Sequence, residues 1–279
     1  MRDLFRAFFF KLTKDLTFRI TLIIGAGLSV LMILLYVLLD RLAGYAGHVY
    51  CTGNNLFVTS FNPAQNYGIA IPINLITFTV LEFSHGIIRN KIVAGNSKVK
   101  IYLSLFLTGL VFTLSLLFTY VGFCTLLGTI IGGFDPNGFG ALGIIATTGY
   151  GALTPDFIWR YFVCCILAYI TITAFNIFIA STFRNIGPSI PVSIIMSIVL
   201  VSVLPYIVTI PYLQEKLGDL PLFLNPMHNL GAQEMYHDDL GYHLLVSDKS
   251  MIGAAVSNVM WSTIFVVAGT FLFVKRDVK

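Results

Sequence analysis

Long apolar runs separated by short polar stretches organise the whole chain. A hydrocarbon core about 30 Å thick is crossed by roughly 20 helical residues rising 1.5 Å each. Six runs of that kind recur, at 20–39, 67–83, 101–131, 157–183, 189–210 and 252–274. Each is continuously apolar rather than alternating, and each is far longer than the roughly 10 residues of a barrel strand, so the pattern predicts membrane-spanning helices and excludes a β-barrel. The expected fold class is an all-α integral membrane protein of six spans forming one domain over 1–279, with a helical outer segment at 211–251 between the fifth and sixth. The third run, at 31 residues, exceeds what one crossing needs. Gly109, Gly122 and Gly128 are its candidate bends.

Before the first run, residues 1–19 follow a different period. Leu4, Phe8, Leu12 and Leu16 fall on one helical face with Phe5 and Phe9 beside them, while the cations fall mostly opposite. That spacing predicts an amphipathic helix lying along the inner membrane interface; a plain extension of the first span is the alternative. The run after Arg19 is too long for the apolar stretch of a signal peptide, and no small-x-small cleavage site follows it.

Composition agrees with the pattern. Hydrophobic residues make up 57% of the chain and charged residues 11%, against roughly 25% charged in soluble domains. The distribution of charge then orients the spans. With the N-terminus inside, thirteen of the seventeen cations fall on cytoplasmic pieces, and nine of the thirteen acids fall outside. This asymmetry predicts a cell-membrane protein with both termini cytoplasmic. It also accounts for the net charge of +4 without nucleic acid, because the cations are spread along one membrane edge.

Catalytic chemistry is mostly absent. There is no G-x-x-x-x-G-K-[ST] loop, no H-E-x-x-H, no C-x-x-C and no G-x-S-x-G, so no enzyme activity, cofactor or metal is expected in this chain. His228, Glu234, His237, Asp238, Asp239 and His243 gather in the outer segment, but their loose spacing reads as a solvated acidic loop rather than a zinc site. Cys124, Cys164 and Cys165 fall within spans and Cys51 in an outer loop, which implies buried thiols and no disulfide framework. Arg160 is expected to reach the outer headgroups. Glu82 ends the second span, where an acid needs a partner. A structural ion pair with a nearby cation is its leading reading and gating its second, with Arg89 on the same face if the helix continues.

The polar segment 84–100 is the most detailed stretch. Ser84 is a candidate N-cap, Ile87, Ile88, Ile92 and Val93 form an apolar stripe, and Gly95 with Asn96 supplies a left-handed stop. These features predict a short amphipathic helix broken sharply before the third span. The string Glu82-x-x-x-Gly86-Ile87-x-Arg89-Asn90-Lys91-x-x-x-Gly95-x-Ser97-Lys98, followed by Ile101-Tyr102, resembles the cytoplasmic coupling segment of the type-2 ABC exporter permeases. Leu224-Asn225-Pro226-Met227 in the outer segment and the ending Phe273-Val274-Lys275-Arg276-Asp277 resemble that family as well.

The resemblance implies a mechanism divided between chains. A separate cytoplasmic ATP-binding subunit, carrying ATP and magnesium, would receive Ile87, Arg89, Asn90, Lys91, Gly95 and Lys98. Two permease copies would meet to form the path, with Gly25 and Ser29 on the first span as a small-x-x-x-small dimer contact. The relatives it looks most like export amphipathic peptides or give immunity to them, which makes a toxin or antimicrobial peptide the expected cargo, ahead of drugs, lipids or sodium. A secondary transporter is the rival class. It would need coupling ions of its own and polar interruptions in matched halves, and the chain shows no convincing internal repeat.

Overall fold

The computed structural model describes residues 2–42, 51–62, 70–134, 155–199, 234–238, 241–245 and 248–276. Nine helices and one hairpin appear among them. In chain order they are α1 (Arg2–Lys14), α2 (Leu16–Leu42), α3 (Gly53–Phe61), α4 (Ala70–Ser84), α5 (Ile87–Val93), α6 (Lys98–Gly132), α7 (Pro155–Phe183), α8 (Ile186–Ile198), β1 (Glu234–Asp238), β2 (Gly241–Leu245) and α9 (Asp248–Lys275). Among the described residues four helices are long and apolar enough to cross a membrane, five if α4 and α5 are taken as one bent span, so this is a multi-pass membrane protein. The fifth predicted run is described only as far as residue 199, where α8 accounts for its first half.

At the centre lies α6, which packs against α1, α2, α3, α7 and α9. Its 35 residues amount to about 52 Å at 1.5 Å each, so it outruns the hydrocarbon core. It is one uninterrupted helix, and two of its three candidate bends are close-approach points instead. Without a Cβ, Gly109 admits Ile177 of α7 and Leu75 of α4, and Gly128 admits Leu56 of α3; nothing lies near Gly122.

Residues 40–66 read as an outer loop, yet α3 is nearly all buried, with Asn54, Asn55, Leu56, Val58, Thr59, Ser60 and Phe61 inside. The Thr52 side chain caps its first turn by accepting from the Asn55 amide at 3.3 Å. Tyr161 of α7 then donates its hydroxyl to the Val58 carbonyl at 2.8 Å. Cys51 is buried beside this helix, where desolvation, then the charges of Asp40 and Cys124, pushes its thiol up to about 11.

Contacts between α7 and α9 advance together, from Thr171 with Asn258, through Phe175 with Phe265, to Thr182 with Arg276. The two helices therefore run parallel. Chain leaving α7 at Phe183 has to return to the far end before α9 begins, and α8 starts that return. Polar contacts tie α7 to three neighbours within two turns. Thr171 Oγ1 donates to Asn258 Oδ1 at 3.0 Å, Thr173 Oγ1 to Thr113 Oγ1 at 3.0 Å, and Ser193 Oγ to Asn176 Oδ1. Interhelical bonds of this kind average about 0.6 kcal/mol and reach about 1.7 in membrane bundles. Thr171→Val, which keeps the shape and removes the donor, is expected to cost about that range in a detergent unfolding titration.

One segment departs from its expected class. Within 211–251, residues 234–238 and 241–245 form an antiparallel hairpin rather than a helix, pairing Glu234 with Leu245 and Asp238 with Gly241, and α9 begins at Asp248. Tyr236 and Tyr242 favour the pleated conformation, and the Asp-rich centre ending in Gly241 favours a reversal over helix propagation.

Candidate functional site

The segment singled out by its polar pattern sits at one end of the bundle, and it is an elbow. After Ser84, Gly86 takes a left-handed φ of 67° and acts as the N-cap of α5 without a side-chain cap. The expected cap at Ser84 is thus displaced by two residues, because Glu82 and Phe83 continue α4 and only the glycine turns the chain at low steric cost. Across this break the axes of α4 and α5 diverge by 51°. At the other end of α5 the stop is as the sequence predicts. Gly95 has φ 85°, its amide donates to the Ile92 carbonyl at 2.9 Å, and the Asn96 amide donates to the Lys91 carbonyl at 3.2 Å. That pair of bonds is the Schellman arrangement, and it satisfies carbonyls the last turn would otherwise leave open. Ser97 then caps α6, its side chain accepting from the Lys100 amide.

Inside the elbow lies Glu82, fully buried. Its Oε2 is 3.6 Å from Lys91 Nζ, and that ammonium also lies over the Phe8 ring of α1. The predicted ion pair is therefore present, with Lys91 as the cation. Arg89 does not share the face because the helix breaks at Gly86, and it points outward with Asn90. Of the apolar stripe, Ile88 is buried and Ile87 and Ile92 are half-buried, but Val93 is 80% exposed. The surface that α5 presents is thus Arg89, Asn90 and Val93, while Lys91 serves the interior.

Lys98 is likewise committed inward. Its ammonium donates to the Val274 carbonyl at 3.0 Å and the Arg276 carbonyl at 3.2 Å, binding the start of α6 to the end of α9. A cation there also suits the negative end of the α9 dipole. Four residues on, Tyr102 is fully buried against Phe273, with ring centroids 5.7 Å apart, and its hydroxyl occupies the space beside Gly269. Arg276 donates to the Thr182 carbonyl at the end of α7. Arg184, at φ 53° between α7 and α8, stands over the Phe83 ring at 5.4 Å. Burial, then the nearby Arg276 charge, lowers its pKa from the ordinary arginine value.

These contacts join α1, α4, α5, α6, α7 and α9 around one apolar cluster containing Phe8, Leu12, Ile88, Ile101, Tyr102 and Phe273. Phe8, Gly269 and Arg276 lie far along the chain from the elbow and join it only through the fold: the spacing of Phe8 marks a helical face without saying what covers it, and nothing near Gly269 or Arg276 in the sequence points to α5 or α6. The small pair Gly25 and Ser29 is placed elsewhere. Ser29 Oγ donates to the Gly25 carbonyl at 3.0 Å and the Tyr120 carbonyl at 3.1 Å, and a Cβ on Gly25 would stand 2.8 Å from Leu116. That face is filled by α6 of the same chain, which corrects its assignment as a dimer contact: a close small-residue seam packs on whichever helix reaches it first. Arg160 extends over Trp159 at 6.0 Å. Among the described residues no three His, Cys, Asp or Glu side chains form a metal-holding group.

The chain matches no protein-family model, and no curated protein or solved structure is significantly similar to it. Its class rests on the helices themselves, those of a multi-pass membrane protein with an elbow at one end of the bundle.

Proposed function

We propose that this chain is the permease subunit of an ATP-driven exporter of the type-2 ABC class. The observation that carries the reading is the elbow, a two-turn helix held off the axis of α4 by Gly86 and Gly95, with a buried ion pair behind it and Arg89, Asn90 and Val93 in front. A rigid, outward-facing helix of this kind can receive force from a docked subunit. Because α5 touches α4 and α6 directly, a push on it reaches two spans at once, and the bundle can answer by rigid-body motion.

Two further observations support the arrangement. The elbow shares its apolar cluster with α1 and the end of α9, so the first and last described helices meet at one end, as six crossings with both termini cytoplasmic require. The parallel course of α7 and α9 needs a return crossing between them. ATP and magnesium belong to the docked subunit. A second copy would complete the path through a face other than that of Gly25 and Ser29. The apolar, phenylalanine-rich spans suit an amphipathic cargo entering from the membrane, a peptide toxin or antimicrobial before a drug, lipid or sodium ion.

Co-expression with candidate ATPase subunits tests the reading. Arg89→Glu and Val93→Asp are each expected to cut co-purification and permease-stimulated ATP hydrolysis at least tenfold, about 1.4 kcal/mol of docking energy, while far-UV circular dichroism stays unchanged. Wild-type levels of both in both variants would overturn the docking surface.

A further inference from the structure

The outward side of α1 is built differently from its sequence pattern. Phe8 and Leu12, half of the predicted membrane stripe, are 1% exposed inside the protein, while Phe9 and Phe10 on the other side are 42% and 64% exposed. That second side is not simply greasy. An open concavity of about 460 Å³ is lined by Arg6, Ala7, Phe9, Phe10 and Thr13, and it places a guanidinium beside two phenyl rings. Lys14 stands 5.9 Å from the Phe10 ring, adding a second cation to the same side. The next helix supplies the setting. α2 follows after Asp15 alone, and it exposes Ile20, Ile23, Ile24 and Leu31, the surface that a spanning helix turns to lipid. With α2 taken as a span, the concavity lies next to the end of that lipid surface, where headgroups are.

We infer that this concavity is a binding site for an anionic phospholipid, its headgroup phosphate against Arg6 and its acyl region over Phe9 and Phe10. The chemistry fits each part. A guanidinium presents paired donors to phosphate oxygens, and exposed phenyl rings at the membrane boundary accept the upper acyl chain. A zwitterionic lipid offers the same phosphate but brings its own ammonium or choline cation close to Arg6 and Lys14. The site should therefore prefer phosphatidylglycerol over phosphatidylcholine, whatever the protein transports.

The full chain in nanodiscs of equal phosphatidylglycerol and phosphatidylcholine, with retained lipids counted by native mass spectrometry, tests this. Wild type is expected to retain phosphatidylglycerol preferentially. Arg6→Gln should reduce that preference about fivefold, the value of one basic side chain at an anionic surface. Phe10→Ala should lower retention of both lipids alike. Lys100→Gln, which removes an exposed cation at the start of α6, should leave the preference intact. Inorganic phosphate at millimolar concentration should not displace the lipid. Equal retention of the two lipids by wild type, an unchanged preference in Arg6→Gln with native helicity, an equal loss in Lys100→Gln, or displacement by phosphate alone would each overturn the lipid site.

Discussion

Lys91→Met is expected to lower the stability of the folded bundle by about 3 kcal/mol, in the range seen when one partner of a buried ion pair is removed. Glu82 is fully buried and Lys91 only slightly accessible, so little water reaches the carboxylate once the ammonium is gone. The same change removes a cation from the Phe8 ring and loosens α1. Glu82→Gln combined with Lys91→Met should recover most of the loss, since replacing both charges removes the desolvation cost along with the attraction. Thermal unfolding of the purified protein in one detergent, followed by circular dichroism, separates these cases. If the double variant unfolds as early as the single, the pair is not the coupled unit described.

Gly269→Ala is expected to cost about 2 kcal/mol, the range for overfilling a packed core. A Cβ at this position would overlap the Tyr102 hydroxyl and lie 2.6 Å from its Cζ. Tyr102 cannot easily yield, because its ring is enclosed by Phe273 and the apolar cluster. Tyr102→Phe in the same background relieves the nearest atom and leaves Cζ in place, so it should restore part of the stability and no more. Full restoration would mean that the hydroxyl alone fixes the spacing of α6 and α9; no restoration would mean that α9 packs elsewhere.

Much of this was legible where the physics is local. The membrane class, the elbow's stop at Gly95 and Asn96, and the need of Glu82 for a cation all follow from a few adjacent residues. The start of α5 was misplaced because Ser84 is a good cap in isolation, whereas Gly86 turns the chain two residues later. Tertiary packing hid the rest. α3 is polar enough at Asn54, Asn55, Thr59 and Ser60 to read as a loop, and only the pocket formed by Gly128 of α6 and Tyr161 of α7 shows why it is inside. α1 has apolar residues on two sides, and periodicity alone does not say which side meets protein. Gly25 and Ser29 have the spacing of a helix contact, and spacing does not say whether the partner helix belongs to the same chain.

The bonds from Lys98 to the last turn of α9 also bear on how the protein is made. Phe8, Ile88 and Tyr102 leave the ribosome early, yet Phe273 and the carbonyls of Val274 and Arg276 complete their surroundings. Until α9 has been synthesised and inserted, the elbow lacks part of its floor. The half-built chain should therefore show an exposed, apolar surface around the elbow for most of translation, and premature chain termination before residue 269 should yield a product that membrane quality-control proteases recognise at the elbow rather than at the truncated end.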